Sequence, residues 1–186
     1  MLQAHFLSIL IFLPLVAALF LVILPERKNI YFKFIALGVS LVQLIIGVVL
    51  YLSYSPSGSS YSIEGFQFVE RFGWIKLDLQ SLGKLSAEYF VGVDGLSIGL
   101  VLLSIIILLI GAISSWQIKE NAKAYFSLYL VLNASIIGCF VALDFLLFYL
   151  FFEFMLLPMY FLIGIWGGPR REYASIKFFL YTLMGS

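Results

Sequence analysis

The sequence predicts an all-α integral membrane protein, a polytopic helix bundle with a short β-hairpin outside the membrane. Three compositional observations lead to this fold class. Hydrophobic residues occupy 63% of the 186 positions, charged residues only 11%, and the mean hydropathy is +1.09. An average soluble domain carries about 25% charged residues. A soluble protein of this length has too little interior to bury so much apolar surface, so lipid must cover it.

The same composition excludes several other classes of protein. Disorder needs low hydrophobicity and high net charge, whereas the formal net charge here is +1. That charge also provides no basic surface for nucleic acid. The single cysteine, Cys139, and the single histidine, His5, exclude a disulfide framework and metal sites built from several such ligands. The sequence contains no Walker loop or dinucleotide fingerprint, so we expect this chain to bind no cofactor.

Apolar segments long enough to cross a bilayer follow one another along the chain. A spanning helix needs about 20 mostly apolar residues. The first segment lacks the basic start and cleavage site of a signal peptide, so it is predicted to be a helix of the mature protein. The last is about half a span at a rise of roughly 1.5 Å per residue, which favours the N-terminal part of a longer protein. The predicted spans are 6–24, 34–54, 96–116, 124–143, 145–166 and the incomplete 174–186.

The connection between the second and third spans is the one sizeable segment predicted to lie outside the membrane. It begins with a turn-rich stretch at 55–60. Residues 66–68 and 75–79 then alternate apolar and polar side chains on either side of Gly73. Alternation of this kind predicts a β-hairpin, which we expect to lie on the outer surface.

Lysine and arginine in the short loops predict the orientation of the helices. Basic loops face the cytoplasm or its topological equivalent. The loops after the first, third and fifth spans are basic, whereas the N-terminus before the first span has no lysine or arginine. The N-terminus is therefore predicted to lie outside. The basic residues of the predicted inner loops are Arg27, Lys28, Lys33, Lys119, Lys123, Arg170 and Arg171.

The sharpest functional signal in this sequence is an ionisable residue inside a span. Glu153 lies near the middle of the fifth span, where a charged side chain costs about 2.5–3.5 kcal/mol to insert. Tyr149 at i−4 and Tyr160 at i+7 share its helix face. Pro158 frees the carbonyl of Phe154 beside it. This polar stripe predicts a proton relay; the alternative is a neutral structural acid that is hydrogen-bonded between helices.

Four other charged residues are candidates for a structural or a functional role. Lys177, near the inner surface in the sixth span, is either a snorkelling anchor or a member of an ion path. Asp94 precedes the third span and is predicted to cap that helix, with a functional role as the alternative. Asp144 precedes the fifth span in the same way. Glu120 lies between two lysines in an inner loop and is most simply a solvated charge.

Three segments of the chain carry a resemblance to a known family. Residues 152–168 read FEFMLLPMYFLIGIWGG, residues 177–186 read KFFLYTLMGS, and residues 92–97 read GVDGLS. They are similar to the signature of the subunit M family of proton-pumping NADH-quinone oxidoreductases, whose mitochondrial counterpart is NADH dehydrogenase chain 4. The resemblance is weak before about residue 90 and strong after it. The D-type component of the multi-subunit sodium/proton antiporters belongs to a related family with a similar pattern.

The resemblance implies an antiporter-like subunit of about 14 helices with two inverted repeats, of which this chain holds the first five helices and the start of the sixth. It implies that Glu153 is the key acid of a proton path, with partner lysines on later helices. Tyr149, Tyr160 and Lys177 are candidate members of that path. The family also has an acid at the position of Glu120, which adds this residue to the candidates.

The resemblance also implies the surroundings of the chain. NADH, FMN, iron–sulfur clusters and quinone would be bound by other subunits. The partners would be other membrane-arm subunits of the antiporter-like L and N types, together with lipid. The location would be the bacterial plasma membrane or the equivalent mitochondrial inner membrane. A sodium/proton antiporter subunit is the alternative within the class, and a membrane scaffold whose glutamate only fixes helix packing is the alternative outside it.

Overall fold

Helices make up most of the residues that the computed structural model describes, which are 5–25, 29–55, 65–78 and 84–186. Apolar segments adopt helices because lipid offers no partners for backbone N–H and C=O groups. A two-stranded antiparallel sheet lies between the second and third helices. In chain order the elements are α1 (Phe6–Ile23), α2 (Asn29–Ser53), β1 (Gln67–Asp78), β2 (Lys84–Val93), α3 (Ser97–Ser114), a 3-10 turn (Ser115–Gln117), α4 (Ala122–Val141), α5 (Phe145–Trp166) and α6 (Arg171–Gly185).

Helices α1 to α5 are each long and apolar enough to cross a membrane. Helix α4 is the central one, because 61% of its spanning window is buried, against 22–33% for the other four. Helices α1 and α5 form its most extensive contacts. The other four spanning helices therefore pack around α4, which leaves their remaining apolar faces for lipid. The prediction of a multi-pass membrane protein is confirmed.

Two helices begin several residues before the predicted starts, α2 at Asn29 and α6 at Arg171. In α2 the ammonium of Lys33 lies 5.8 Å from the centre of the Trp116 ring and donates to the Trp116 carbonyl. Such a snorkelling side chain lets a helix continue into the headgroup region. In α6 the first turn carries Glu172, whose charge complements the positive helix end. Both helices therefore extend beyond the apolar segments that the sequence pattern marked.

The hairpin is longer than predicted, and its turn lies elsewhere. The sequence pattern predicts two strands, at 66–68 and 75–79, on either side of Gly73, but 67–68, Gly73 and 75–78 all lie within β1, and residue 79 lies outside the described residues. The pairing runs from Gln67 opposite Val93 to Asp78 opposite Lys84, so the turn falls outside the described residues. Gly73 marks a register shift before Ile75, which explains the break in alternation that suggested a turn.

The hairpin closes one end of the helix bundle, which we name the hairpin end. Val91 and Val93 of β2 are buried in the same apolar cluster as residues of α1, α3, α4 and α5. The backbone N–H of Leu143, between α4 and α5, donates to the Phe90 carbonyl at 2.8 Å. A bridge also joins Val91 to Ala142. The sheet is therefore anchored to the bundle through both its side chains and its backbone.

Aspartates begin α3 and α5, as predicted. Asp144 Oδ1 accepts from the N–H groups of Leu146 and Leu147 at 2.9 and 3.0 Å. Asp94 Oδ1 accepts from the N–H and hydroxyl of Ser97 at 2.7 and 2.6 Å, while the Asp94 N–H donates to Ser97 Oγ at 2.9 Å. These bonds form a capping box. The Ser97 hydroxyl and N–H lower the pKa of Asp94 below 3.8, so the cap is fully stabilising above that pH and weakens as the pH falls through the lower folded-state value.

A glycine sets the close approach of α4 and α5. A Cβ atom at Gly138 would lie 2.5 Å from ring atoms of Phe151. Phe151 is itself buried in the cluster at the hairpin end. Small residues at helix contacts are typical of membrane bundles, because dispersion contacts hold the helices together there. This contact fixes the rotation of α5 about its axis and therefore the direction that Glu153 faces.

Candidate functional site

Glu153 lies near the middle of α5 and is partly buried. Leu147 and Phe151 on another side of the same helix are buried in the cluster at the hairpin end. Glu153 instead faces the end of α6, where Ser186 Oγ lies 3.5 Å from its Oε1. Helix α6 packs chiefly on α5. The predicted mid-span acid is therefore held between these two helices.

A tyrosine precedes Glu153 by one helical turn and interacts with it. The hydroxyl of Tyr149 interacts with the side chains of both Glu153 and Ser186. Tyr149 and Glu153, the first two residues of the predicted polar stripe, therefore interact with each other. Tyr160 lies further along α5, and its ring packs at 5.6 Å from the ring of Phe179 in α6. Both tyrosines take part in the α5–α6 face, but only Tyr149 reaches the carboxylate.

Lys177 does not reach Glu153. Its ammonium lies 5.7 and 5.5 Å from the ring centres of Tyr173 and Tyr181, and its side chain is exposed. Nine positions separate it from Ser186, so it lies roughly 14 Å along α6 from the level of the glutamate. The aromatic contacts are typical of an anchor near a membrane surface. A place in an ion path is the alternative role for this exposed lysine.

Glu120 lies at the end of the bundle opposite the hairpin, in the exposed loop before α4. Its backbone carbonyl accepts a hydrogen bond of 2.9 Å from the indole N–H of Trp166. The Trp166 ring also contacts Tyr125 of α4, edge to face, at 5.1 Å. These contacts tie the ends of α4 and α5 together. They do not bring the Glu120 carboxylate to Glu153.

Within the ranges that the structure describes, Arg71 pairs with Glu88, and His5 Nδ1 lies 3.5 Å from Glu70 Oε2; neither contact includes Glu153. The same ranges contain no group of three or more His, Cys, Asp or Glu side chains that could hold a metal ion. Glu153 therefore has hydroxyl neighbours and no described cation. A carboxyl group in this setting can take up or release a proton when a charge approaches it, which is the elementary step of a relay.

Sequence reasoning missed a buried acid, Glu70 of β1, which is only 4% exposed. Its Oε1 accepts from the N–H groups of Leu7 and Ser8 at 3.1 Å each, and its Oε2 accepts from the Ser8 hydroxyl. His5, the residue before α1, makes no capping bond with its side chain. Glu70 therefore caps α1 from 63 residues away in the chain. The sole hint in the sequence was the absence of a local cap before α1.

Tyr89 of β2 completes this cap. Its hydroxyl lies 2.9 Å from Ser8 Oγ. Burial raises the pKa of Tyr89, and the nearby Glu70 carboxylate adds to that increase. The phenol therefore stays protonated and can donate to Ser8, whose own hydroxyl donates to Glu70. The hairpin thus secures the start of α1 through a chain of hydrogen bonds.

Two family models match adjoining parts of the chain. The model described as "NADH-ubiquinone oxidoreductase chain 4, amino terminus" matches residues 68–143. The model described as "NADH:quinone oxidoreductase/Mrp antiporter, TM" matches residues 142–186. Together they cover most of the hairpin, helices α3 to α6 and every predicted site residue.

Curated relatives match nearly the whole chain. NADH-quinone oxidoreductase subunit M of Rickettsia typhi is 39% identical over 193 residues, which are 100% of this chain and 37% of the relative. The subunit M of Rhodobacter capsulatus is 40% identical over 98% of this chain and 34% of its own length. The NAD(P)H-quinone oxidoreductase chain 4-2 of Synechocystis is 38% identical over 98% of this chain and 31% of its own. This chain therefore spans about a third of the length of these relatives.

Solved structures show the same fold. A chain of respiratory complex I from Thermus thermophilus with bound NADH matches with a TM-score of 0.71 and 24% identity, over 96% of this chain and 33% of its own. A chain of the membrane-bound sulfane sulfur reductase, an archaeal respiratory membrane complex, matches with a TM-score of 0.72 and 19% identity, over 97% and 26%. The fold, the family models and the identities agree, and this chain is similar over its whole length to part of the subunit M and chain 4 proteins of NADH-quinone oxidoreductases.

Proposed function

We propose that this chain forms part of a proton-translocating membrane subunit of an NADH-quinone oxidoreductase. The observation that carries this proposal is Glu153, an acid near the middle of a spanning helix with only hydroxyl partners among the described residues. Ionisable groups at this depth are expensive to insert and mark proton or ion pathways. The relatives of this chain are subunits of oxidoreductases that act between NADH and quinone.

The glutamate would act by exchanging a proton as a neighbouring positive charge moves. A low-dielectric environment favours the neutral carboxyl group, and an approaching cation favours the carboxylate. The cation would come from a lysine on a later helix of the full-length protein, a subunit of about 14 helices with two inverted repeats. Glu153, Tyr149 and Ser186 already face one side of the α5–α6 pair, where such a helix can pack. Tyr160, Lys177 and Glu120 are secondary candidates for the same path.

This function assigns the redox chemistry to other subunits. The chain itself would bind no redox centre, and NADH, FMN, iron–sulfur clusters and quinone would be held elsewhere in the complex. Its partners would be the other membrane-arm subunits, of the antiporter-like L and N types, and the lipid of the bacterial plasma membrane or its mitochondrial equivalent. Electron transfer would drive the charge movements that Glu153 senses.

A sodium/proton antiporter subunit is the second candidate. The description of the family model that matches residues 142–186 names both NADH:quinone oxidoreductases and Mrp antiporters. The two functions differ in their energy source. To separate them, we would express the full-length protein in a strain that lacks its subunit M and record proton uptake in inverted membrane vesicles.

We expect NADH to restore proton uptake in these vesicles, with uptake abolished when quinone reduction is inhibited. A sodium gradient applied without NADH should produce no uptake. Vesicles from the uncomplemented strain provide the control. Sodium-driven uptake that does not need NADH would identify the antiporter instead and would reject the proposal.

We also propose that the hairpin end lies outside and the opposite end inside. Seven lysines and arginines are found in or beside the three short connections at the opposite end, against Arg71, Lys76 and Lys84 in the long hairpin connection. Basic residues near helix ends favour the cytoplasmic side. In a Cys139→Ala background, a membrane-impermeant maleimide added from outside should label a cysteine at Ser59 and spare one at Gly168. Labelling at Gly168 alone would show the opposite orientation.

A further inference from the structure

The buried interior of the bundle contains three apolar clusters among the described residues, and two of them lie at its opposite ends. The cluster at the hairpin end includes Leu10 and Ile11 of α1 and Ile137 of α4. The cluster at the opposite end includes Ala18 of α1 and Leu130 of α4. The buried members of these two clusters are separated by residues 12–17 in α1 and by residues 131–136 in α4.

Polar residues lie between the two clusters, and we name this group the polar layer. Ser40 and Gln43 of α2 and Asn133 and Ser135 of α4 are all buried, and each lies close to the middle of its helix. Pro14 lies near the middle of α1 and is buried as well. A spanning helix has its middle in the hydrocarbon core, so the layer lies deep in the membrane.

A proline explains the first polar contact of the layer. Pro14 has no N–H, so the carbonyl of Leu10 loses its usual intrahelical donor. The side-chain amide of Gln43 donates to that carbonyl at 3.0 Å. Gln43 thus replaces the missing backbone hydrogen bond from a neighbouring helix. This polar side chain of the layer therefore satisfies a backbone carbonyl that would otherwise be unpaired.

Asn133 has no such partner. It is 1% exposed, and within the described residues neither its Oδ1 nor its Nδ2 meets a hydrogen-bonding group. It follows Leu130 by three positions and precedes Ile137 by four, so it shares the helix face that joins the two clusters. Burial from lipid and from bulk water leaves the amide with nothing to bond unless a small polar molecule enters.

We propose that the polar layer binds internal water at Asn133, in the middle of the membrane. Water is the chemical class that fits, since the amide offers both a donor and an acceptor and the layer contains no charged residue. Buried waters are found where polar groups would otherwise be unpaired. The site is separate from Glu153, whose partners are Tyr149 and Ser186 on the α5–α6 side.

Solid-state NMR of the full-length protein in lipid bilayers tests this proposal directly. The protein is labelled with ¹⁵N at its backbone and side-chain amides, and magnetisation is transferred to these amides from water protons. The Asn133 signal is assigned by its loss in Asn133→Leu, or in Asn133→Ala if the leucine variant does not insert. We expect the Asn133 amide to receive magnetisation from water even though it is sealed from both membrane surfaces.

Two internal references make the result decisive. Asn121 is exposed in the loop before α4, so its side chain must show transfer. The backbone amides of Leu130 and Ile137 are buried in the apolar clusters, so they must show little. Transfer to Asn133 at least several times that to Leu130 and Ile137 supports bound water. Transfer equal to that of those two amides would show that the layer is dry and would overturn the proposal.

Discussion

Replacing Glu153 by glutamine in the full-length protein is expected to lower NADH-driven proton pumping by at least about tenfold, because positioned proton-transfer groups contribute roughly 10²- to 10⁴-fold to the steps that they serve. Glutamine has nearly the same size and can still bond to Tyr149 and Ser186, the neighbours of Glu153. It cannot ionise, so only the charge-switching property is removed. The measurement is dye-reported acidification of inverted vesicles, normalised to assembled complex on a native gel.

The matched control is Glu172→Gln, the same chemical change in the exposed first turn of α6. We expect this control to pump normally. Pumping by Glu153→Gln at the rate of the control would refute the relay role. Loss of assembly, with normal pumping by each assembled complex, would instead support the alternative of a scaffold in which the glutamate only fixes helix packing.

Replacing Glu70 by alanine is expected to destabilise the start of α1 by about 2–4 kcal/mol, the combined effect of a lost cap and of buried hydrogen bonds to a charged group. The substitution leaves the N–H groups of Leu7 and Ser8 without their acceptor. Hydrogen exchange of these two amides, followed by NMR or mass spectrometry, reports the local opening. Their protection should fall by about 30-fold or more, since roughly 1.4 kcal/mol corresponds to tenfold.

Two variants distinguish a cap from a general effect of charge on the hairpin. Glu88→Ala removes the other paired acid of the sheet, whose partner Arg71 is exposed, and such a surface pair contributes below about 1 kcal/mol. Glu70→Gln keeps one acceptor oxygen and should lie between wild type and Glu70→Ala. Equal protection of Leu7 and Ser8 in Glu70→Ala and Glu88→Ala would contradict the capping role.

The spanning helices could be read from the sequence alone, because the bilayer requires each one to satisfy its own backbone hydrogen bonds. Such a requirement is local, so a run of about 20 apolar residues is enough to reveal it. The predicted span 145–166 has the bounds that the structure shows. Glu153 stood out for the same reason, since a charged residue in an apolar run is visible without any partner. The aspartate caps were equally local, as Asp94 and Asp144 bond within their own first turns.

The remaining features depended on contacts between residues that are distant in the chain. Gly73 suggested a turn, but it lies within the long strand β1, where the pairing with β2 shifts register between Gly73 and Ile75. The cap of α1 is supplied by Glu70, and the carbonyl left free by Pro14 is bonded by Gln43 of another helix. A local sequence pattern shows where a helix lacks a capping side chain or a backbone donor. Only the tertiary structure shows which side chain, distant in the sequence, forms the replacement hydrogen bond.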